Sequence, residues 1–156
     1  MKGIMQHDDM KKCLLESPDL AGVDEATIAE LFWRGEAQAF DEGAVIYGEG
    51  AKLDETFGLL VAGDLLVEKG GETVGGVAEG RIFGEMAYFT NYQARTATVS
   101  VASPQALILR FHVAQEEMDS VRFSALRKAL ALQTWQKFVN TSQGCAYGAS
   151  VPVWTA

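Results

Sequence analysis

Histidine, cysteine and basic residues are scarce in this chain, and each shortage counts against a class of function. Its 156 residues include two histidines and two cysteines. The histidines, His7 and His112, are isolated, and the sequence around each lacks the ligand spacing of a metal site. Thirteen Lys and Arg residues stand against 21 Asp and Glu residues. The resulting net charge of −8 does not favour a nucleic-acid surface, which requires clustered cations.

Long apolar runs and catalytic motifs are missing as well. No segment approaches the roughly 20 apolar residues that span a bilayer, and residues 1–9 lack the apolar core of an export signal, so we expect a cytoplasmic protein with no membrane contact. No Ser/His/Asp or Cys/His motif and no Walker lysine occurs, so no enzyme is expected. Cys13 and Cys145 are interpreted as free thiols, with a disulfide between them as the alternative.

Glycine is abundant, and its placement predicts the fold class. Twelve of the 16 glycines lie between Gly35 and Gly84, where they separate short runs rich in strand-forming residues. Such runs predict a mainly β fold, an antiparallel sandwich or barrel rather than a parallel α/β sheet. The glycine-containing segments 62–64 and 69–72 are predicted to be hairpin turns. The predicted strand runs are 44–47, 56–61, 65–67, 73–74, 96–101 and 106–109.

Helical patterns flank this middle zone. Residues 1–19 are predicted to form an N-terminal helical extension that contains Ile4 and Met5. A second helix is predicted to open at Asp24, with acids in its first turn. Closing helices are predicted over about 113–140, fading at 140–144, and residues 141–156 are interpreted as a C-terminal tail. One domain, residues 20–140, would then contain a barrel at about 35–111.

Residues 83–99 contain the motif with the most functional information. Gly84 and Glu85 stand at the start of a predicted helical turn, and Arg95 follows ten residues later at the mouth of a strand-like run. Free N–H groups at a helix start and a planar guanidinium both bind phosphate oxygens. A carboxylate accepts hydrogen bonds from sugar hydroxyls. The combination therefore suits a ligand that carries a phosphate and a sugar.

This arrangement resembles the cyclic nucleotide-binding domain family, which includes the sensor halves of catabolite-activator-type transcription factors and the regulatory subunits of cyclic-nucleotide-dependent kinases. Residues 40–50 resemble its early strand pair, and residues 57–67 resemble its third and fourth strands. Residues 80–87 with 95–99 resemble its phosphate-binding cassette. The resemblance spans roughly residues 20–138. It implies an antiparallel β-roll or cupin-like jelly roll, a double-stranded β-helix, with N-terminal and C-terminal helices.

The resemblance also implies roles for residues. Glu85 would accept a hydrogen bond from the ribose 2′-hydroxyl, Arg95 would pair with the exocyclic phosphate oxygens, and Thr96 would lie near phosphate and base. The implied ligand-binding residues are Phe83, Gly84, Glu85, Met86, Ala87, Arg95, Thr96 and Ala97, with Trp135 and Phe138 as candidate lid residues. Two departures from the family pattern are Ala94, where proline is common, and the bulky run 88–92.

The function that follows is a cyclic nucleotide sensor, with cAMP favoured over cGMP, whose occupancy moves the C-terminal helices. No cofactor and no metal is expected beyond the ligand. The partners expected are the nucleotide and an unknown protein effector, and a homodimer through the C-terminal helix is left open. A chain that starts at Met1 and ends soon after the last helix favours a stand-alone sensor. The alternative is a degenerate domain of the same fold, a structural or protein-interaction module without nucleotide.

Overall fold

Helices lie at both ends of the chain and strands lie between them. The computed structural model describes residues 7–90 and 93–147, and side chains through residue 136. The helices are α1 His7–Leu15, α2 Glu25–Trp33, α3 Gln115–Met118 and α4 Ser124–Tyr147, with 3-10 turns at Pro18–Leu20, Glu85–Tyr88 and Val121–Phe123. We call Glu85–Tyr88 the cassette turn.

Eight strands of the described chain form two antiparallel four-stranded sheets. The strands are β1 Gly35–Asp41, β2 Val45–Tyr47, β3 Thr56–Ala62, β4 Leu65–Lys69, β5 Glu72–Val77, β6 Ile82–Phe83, β7 Thr98–Val101 and β8 Gln105–His112. Their order is β1-β8-β3-β6 in the first sheet and β2-β7-β4-β5 in the second. The predicted fold class, a mainly β jelly roll with flanking helices, is confirmed.

The period-two alternation of β8 divides the hydrophobic core into two parts. Ile108 belongs to a buried cluster with residues of the second sheet, such as Val67 and Val99. Its neighbour Leu109 belongs to a cluster shared with the helices, which includes Leu126 of α4. The first sheet is therefore covered on both faces, and the helices are held against the outer one.

One of the two predicted hairpin turns is wrong. Residues 69–72 do join the paired strands β4 and β5, as predicted. Residues 62–64 instead carry the chain from β3 in the first sheet to β4 in the second. Gly63 has a φ of +104°, and a Cβ there would lie 2.6 Å from the Gln105 carbonyl oxygen. A glycine-rich turn indicates tight backbone geometry. Both a hairpin and a crossing between sheets need such geometry, so the glycine does not distinguish them.

The helical ends also differ from the prediction. The Asp24 carboxylate accepts a hydrogen bond from the Thr27 N–H and caps α2, as the acidic start indicates. α4 continues to Tyr147, so the predicted end at 140–144 is wrong, because a helix that is already nucleated extends through weak helix formers at low cost. Residues 1–6 and 148–156, with Ile4, Met5 and most of the predicted tail, lie outside the described residues. Within the described ranges, no helix combines the length and apolar character needed to cross a membrane.

Candidate functional site

Arg95 lies in a backbone segment that two hydrogen bonds anchor to the loop after β2. Its N–H donates to the Ala51 carbonyl at 2.8 Å, and its carbonyl accepts from the Gly50 N–H at 2.9 Å. An isolated antiparallel bridge joins the preceding residue, Ala94, to Lys52. This bridge supports the turn without the proline that the family commonly has, so Ala94 is compatible with a well-held arginine.

The guanidinium of Arg95 is buried and fixed by three strong contacts. Its Nη1 donates to the Gly84 carbonyl at 2.9 Å, and its Nη2 donates to Asp54 Oδ1 and to the Thr56 carbonyl, both at 2.8 Å. Arginine has five N–H donors. The Nε–H, which is buried and has no hydrogen-bond partner among the described residues, and one Nη1–H are therefore not engaged by these contacts.

An aromatic ring supports the same guanidinium. The Cζ atom of Arg95 lies 3.7 Å from the ring centroid of Tyr47, a favourable cation–π distance. Gly84 lies directly against this ring: its φ is +81°, and a Cβ there would meet Tyr47 Cε2 at 2.8 Å. Glycine is therefore required at the start of the cassette turn both for the backbone angle and for the close approach.

Glu85, the first residue of the cassette turn, is fully buried beneath α4. Its Oε2 lies 3.5 Å from the Thr134 hydroxyl, which is also 3.1 Å from the Leu130 carbonyl. Leu126, Leu130 and Thr134 are the buried residues at steps of four along α4, and this spacing places Thr134 on the face that packs onto the cassette turn. The long helix therefore touches the carboxylate that the family resemblance assigns to ribose.

Asp54 is the acid that balances Arg95. Partial burial acts to raise the pKa of Asp54, but hydrogen bonds from Thr56 and Arg95 and the positive charge of Arg95 outweigh it. The pKa is held below its usual value, so the carboxylate stays ionised. Burial raises the pKa of Tyr47, against the opposing effect of its hydrogen bond to Thr56, so the phenol stays protonated and can donate.

An open pocket lies beside Arg95. Of the eight predicted ligand-binding residues, six line it: Gly84, Met86, Ala87, Arg95, Thr96 and Ala97. Phe83 and Glu85 do not line the pocket, and both are fully buried. The pocket is also lined by Tyr47, Leu53, Thr90, Ala94 and Val99, which had not been predicted as site residues.

Of the two candidate lid residues, Trp135 does not line this pocket. Trp135 is 65% exposed and lines a separate groove with Ala21 and Gly22. It follows Thr134 by one position, which on a helix is a rotation of about 100° away from the buried face. The side chain of Phe138 lies outside the described part of the chain.

The unusual run 88–92 begins with a residue of the core. Tyr88 is buried, and its hydroxyl donates to the Val113 carbonyl at 2.7 Å; burial raises the pKa of this phenol strongly. Thr90 lines the pocket, and residues 91 and 92 are outside the described ranges. Over the residues for which the structure gives positions, no group of three His, Cys, Asp or Glu side chains could hold a metal ion.

Three residues that contact the predicted site residues were also missed by sequence reasoning. Asp54 and Tyr47 hold Arg95, and Thr134 covers Glu85. Each lies about 40 to 50 positions from its partner, and no local pattern marks any of them. Their contacts with the motif residues are visible only in three dimensions.

Comparisons with known proteins agree with this geometry. The family model "Cyclic nucleotide-binding domain" matches residues 37–115, about half of the chain. Curated protein sequences give no significant match.

Three solved structures illustrate the similarity in fold. They are the regulatory subunit of a cAMP-independent protein kinase A from Trypanosoma cruzi bound to guanosine (17% identity, TM-score 0.67, 90% of this chain covered), the regulatory domain of Toxoplasma gondii PKA with cAMP (19%, 0.65, 97%) and the Thermus thermophilus catabolite activator protein (16%, 0.70, 84%). This chain spans 49%, 56% and 62% of the lengths of those three chains. With the family model matched over strands β1 to β8, the chain belongs to the cyclic nucleotide-binding domain family.

Proposed function

We propose that this domain binds a cyclic nucleotide, cAMP in preference to cGMP, and acts as a sensor or regulatory module. The observation that carries the proposal is the state of Arg95, which is 7% exposed and held at the wall of an open pocket by Asp54, Gly84 and Thr56. A guanidinium that is already ordered loses little conformational entropy when it binds a ligand.

A phosphate is the group that suits the remaining donors of Arg95. A phosphate oxygen can accept from the Nε–H or from the second Nη1–H, and the positive charge of the guanidinium strengthens each such bond. Each charge-assisted bond contributes roughly 1.5–3 kcal/mol net. Two or three such bonds, with burial of a base, are sufficient for micromolar affinity, about −8 kcal/mol.

The ribose would bind to Glu85, and this step supplies the readout. Glu85 is fully buried, with the Thr134 hydroxyl 3.5 Å from its carboxylate. We infer that α4 shifts when a ribose hydroxyl reaches this carboxylate. The nucleotide therefore binds one position of α4 better than the other, which is the requirement for a ligand to shift a conformational equilibrium.

The base preference concerns Thr96 and the ligands of related folds. Thr96 lines the pocket, and a single neutral hydrogen bond contributes about 1 kcal/mol, roughly five-fold in affinity. Related folds bind different ligands, since the Toxoplasma gondii domain is described with cAMP and the Trypanosoma cruzi subunit with guanosine. We favour cAMP, with cGMP as the second candidate.

The decisive experiment is a calorimetric titration of the wild type with cAMP, cGMP, adenosine and guanosine, repeated with Arg95→Ala. We expect micromolar binding of cAMP to the wild type and no detectable binding to Arg95→Ala. Arg122→Ala is the matched control, because Arg122 is an exposed arginine that pairs with Glu30 away from the pocket, and it should bind as the wild type does. Circular dichroism checks that both variants fold. Equal cAMP affinity in Arg95→Ala would disprove the proposal.

A second candidate is an interaction domain that binds no nucleotide. The observation in its favour is a set of large apolar side chains on the surface of the described helical regions, with Trp135 65% and Leu132 54% exposed on α4. A protein effector or a second copy of the chain could cover them. Thermal denaturation separates the two candidates, because a nucleotide at 100 times its Kd adds about 2.7 kcal/mol of stability, whereas an interaction domain would show no shift with any cyclic nucleotide. We expect no catalytic turnover of the nucleotide in either case.

A further inference from the structure

We propose that Tyr47 is a positioning residue for Arg95, which sets the direction of the guanidinium and through it the affinity for the phosphate of the ligand. This inference rests on the proposed function of the pocket. Tyr47 is the last residue of β2 and is 5% exposed. It contacts the guanidinium with its ring and is linked to the same guanidinium through its hydroxyl.

The ring provides a flat support. Arg95 Cζ lies 3.7 Å from the ring centroid, well inside the roughly 6 Å limit of a cation–π contact. The ring cannot turn away easily, because the Gly84 backbone packs against its Cε2 edge. The Gly84 carbonyl also accepts from Arg95 Nη1. The ring, the glycine and the arginine therefore form one packed unit.

The hydroxyl closes a chain of hydrogen bonds back to the same arginine. The Thr56 hydroxyl donates to Asp54 Oδ1 at 2.6 Å. Since a hydroxyl has a single proton, the Tyr47 hydroxyl must then be the donor in its 2.8 Å contact with Thr56 Oγ1. Asp54 Oδ1 in turn accepts from Arg95 Nη2. The order is Tyr47 to Thr56 to Asp54, with Arg95 as the second donor to that carboxylate.

A second cation uses the same ring. The Arg110 guanidinium of β8 lies 5.2 Å from the Tyr47 centroid, on the strand face that points between the sheets with Ile108. Two like charges beside one ring repel each other when no group of opposite polarity stands near them. The electron-rich face of Tyr47 attracts both guanidiniums, and its loss would leave Arg95 held only by its hydrogen bonds to Asp54, Gly84 and Thr56.

The test compares ligands with and without a phosphate. Calorimetry is run with cAMP and with adenosine on the wild type, Tyr47→Phe and Tyr47→Leu. We expect Tyr47→Leu to weaken cAMP binding roughly ten- to thirty-fold, the range of a desolvated cation–π contact, with adenosine affinity unchanged within two-fold. Tyr47→Phe keeps the ring and should lose less than five-fold. Tyr88→Leu, which removes a buried tyrosine that contacts Phe57, controls for general loosening of the core.

A ligand-free measurement separates this inference from the proposed function. The order parameter of the Arg95 Nε–H, from nitrogen-15 relaxation, should be near the rigid value of about 0.85 in the wild type and Tyr47→Phe and should fall in Tyr47→Leu. Unchanged order in Tyr47→Leu, or equal losses of cAMP and adenosine affinity, would overturn the inference. If the wild type binds neither cAMP nor cGMP, the proposed function fails, and the order parameter alone decides whether Tyr47 holds Arg95.

Discussion

The Asp54 carboxylate and the Arg95 guanidinium are 2.8 Å apart although 41 positions separate them in the chain. The pair joins the loop before β3 to the segment before β7 at the wall of the pocket. Asp54 is half exposed and Arg95 is buried, so water can compete for the carboxylate but not for the guanidinium. Asp54 balances the charge of Arg95 and does not line the pocket.

Asp54→Asn should weaken cAMP binding, because the amide holds Nη2 less strongly than the carboxylate does. A hydrogen bond to a charged group contributes roughly 1.5–3 kcal/mol and a neutral one about 1 kcal/mol, so the expected loss is roughly three- to thirty-fold by calorimetry. Asp64→Asn, at an exposed acid beyond β3, is the control. A cAMP affinity equal to that of the wild type would contradict a role for the Asp54 carboxylate in holding Arg95 for binding.

The lowered pKa of Asp54 predicts a change of stability with pH. A carboxyl whose pKa is lower in the folded than in the unfolded protein stabilises the fold above its unfolded value, near 3.9, and this contribution is lost as the pH falls through the folded value. The difference in free energy of unfolding between the wild type and Asp54→Asn should therefore be present at pH 7 and shrink below about pH 4. Urea denaturation at a series of pH values measures it. A difference that stays constant down to pH 3 would contradict the assignment.

Gly84→Ala should cost more stability than Gly80→Ala, although the two glycines have nearly the same φ, +81° and +85°. The left-handed backbone conformation costs a residue with a Cβ roughly 1–2 kcal/mol at either position. At Gly84 the new Cβ would also lie 2.8 Å from Tyr47 Cε2, whereas at Gly80 no atom lies within 4 Å. Urea denaturation should show the larger loss for Gly84→Ala, and only this variant should lose cAMP affinity. Equal losses of stability in the two variants would show that the Tyr47 ring can move to accommodate the new Cβ without loss of stability.

Thr134→Val should reduce the response of α4 to cAMP more than it reduces the affinity for cAMP. Hydrogen exchange of the amides over 124–136 should change on addition of cAMP in the wild type and change less in Thr134→Val. The affinity itself should move by no more than about five-fold, the equivalent of one neutral hydrogen bond. Gln136→Ala, an exposed position on the same helix, should respond as the wild type does. If the change in hydrogen exchange on addition of cAMP is as large in Thr134→Val as in the wild type, the contact between Thr134 and Glu85 does not transmit nucleotide binding to α4.

Trp135→Ala tests the predicted lid. Because Trp135 is 65% exposed and faces the groove at Ala21 and Gly22, its removal should leave cAMP affinity unchanged within two-fold. Leu132→Ala, which shortens another exposed side chain on α4, is the matched control. A ten-fold loss confined to Trp135→Ala would show that α4 rotates this ring onto the base when nucleotide binds.

Features that depend on neighbours in sequence could be predicted. The fold class follows from short strand-forming runs between glycines, and the residues of 83–99 that line the pocket are contiguous or nearly so. Two strands were not predicted, because their local composition does not mark them as strands. β1 is a run of small and polar residues that becomes a strand by pairing with β8, and β6 is two residues long, so neither has the composition that marks a strand by itself.

Local sequence is enough to indicate the β-roll class, the cassette motif and Arg95 as the candidate phosphate ligand, because turn geometry and hydrophobic alternation act over a few residues. Four relations follow from the packing of the folded chain: Asp54 and Tyr47 hold that arginine, Thr134 covers Glu85, the turn at Gly63 crosses between sheets, and Trp135 faces away from the pocket. These relations depend on how one sheet packs on the other and on the rotation of α4 about its axis. Both are decided by contacts between segments far apart in the chain.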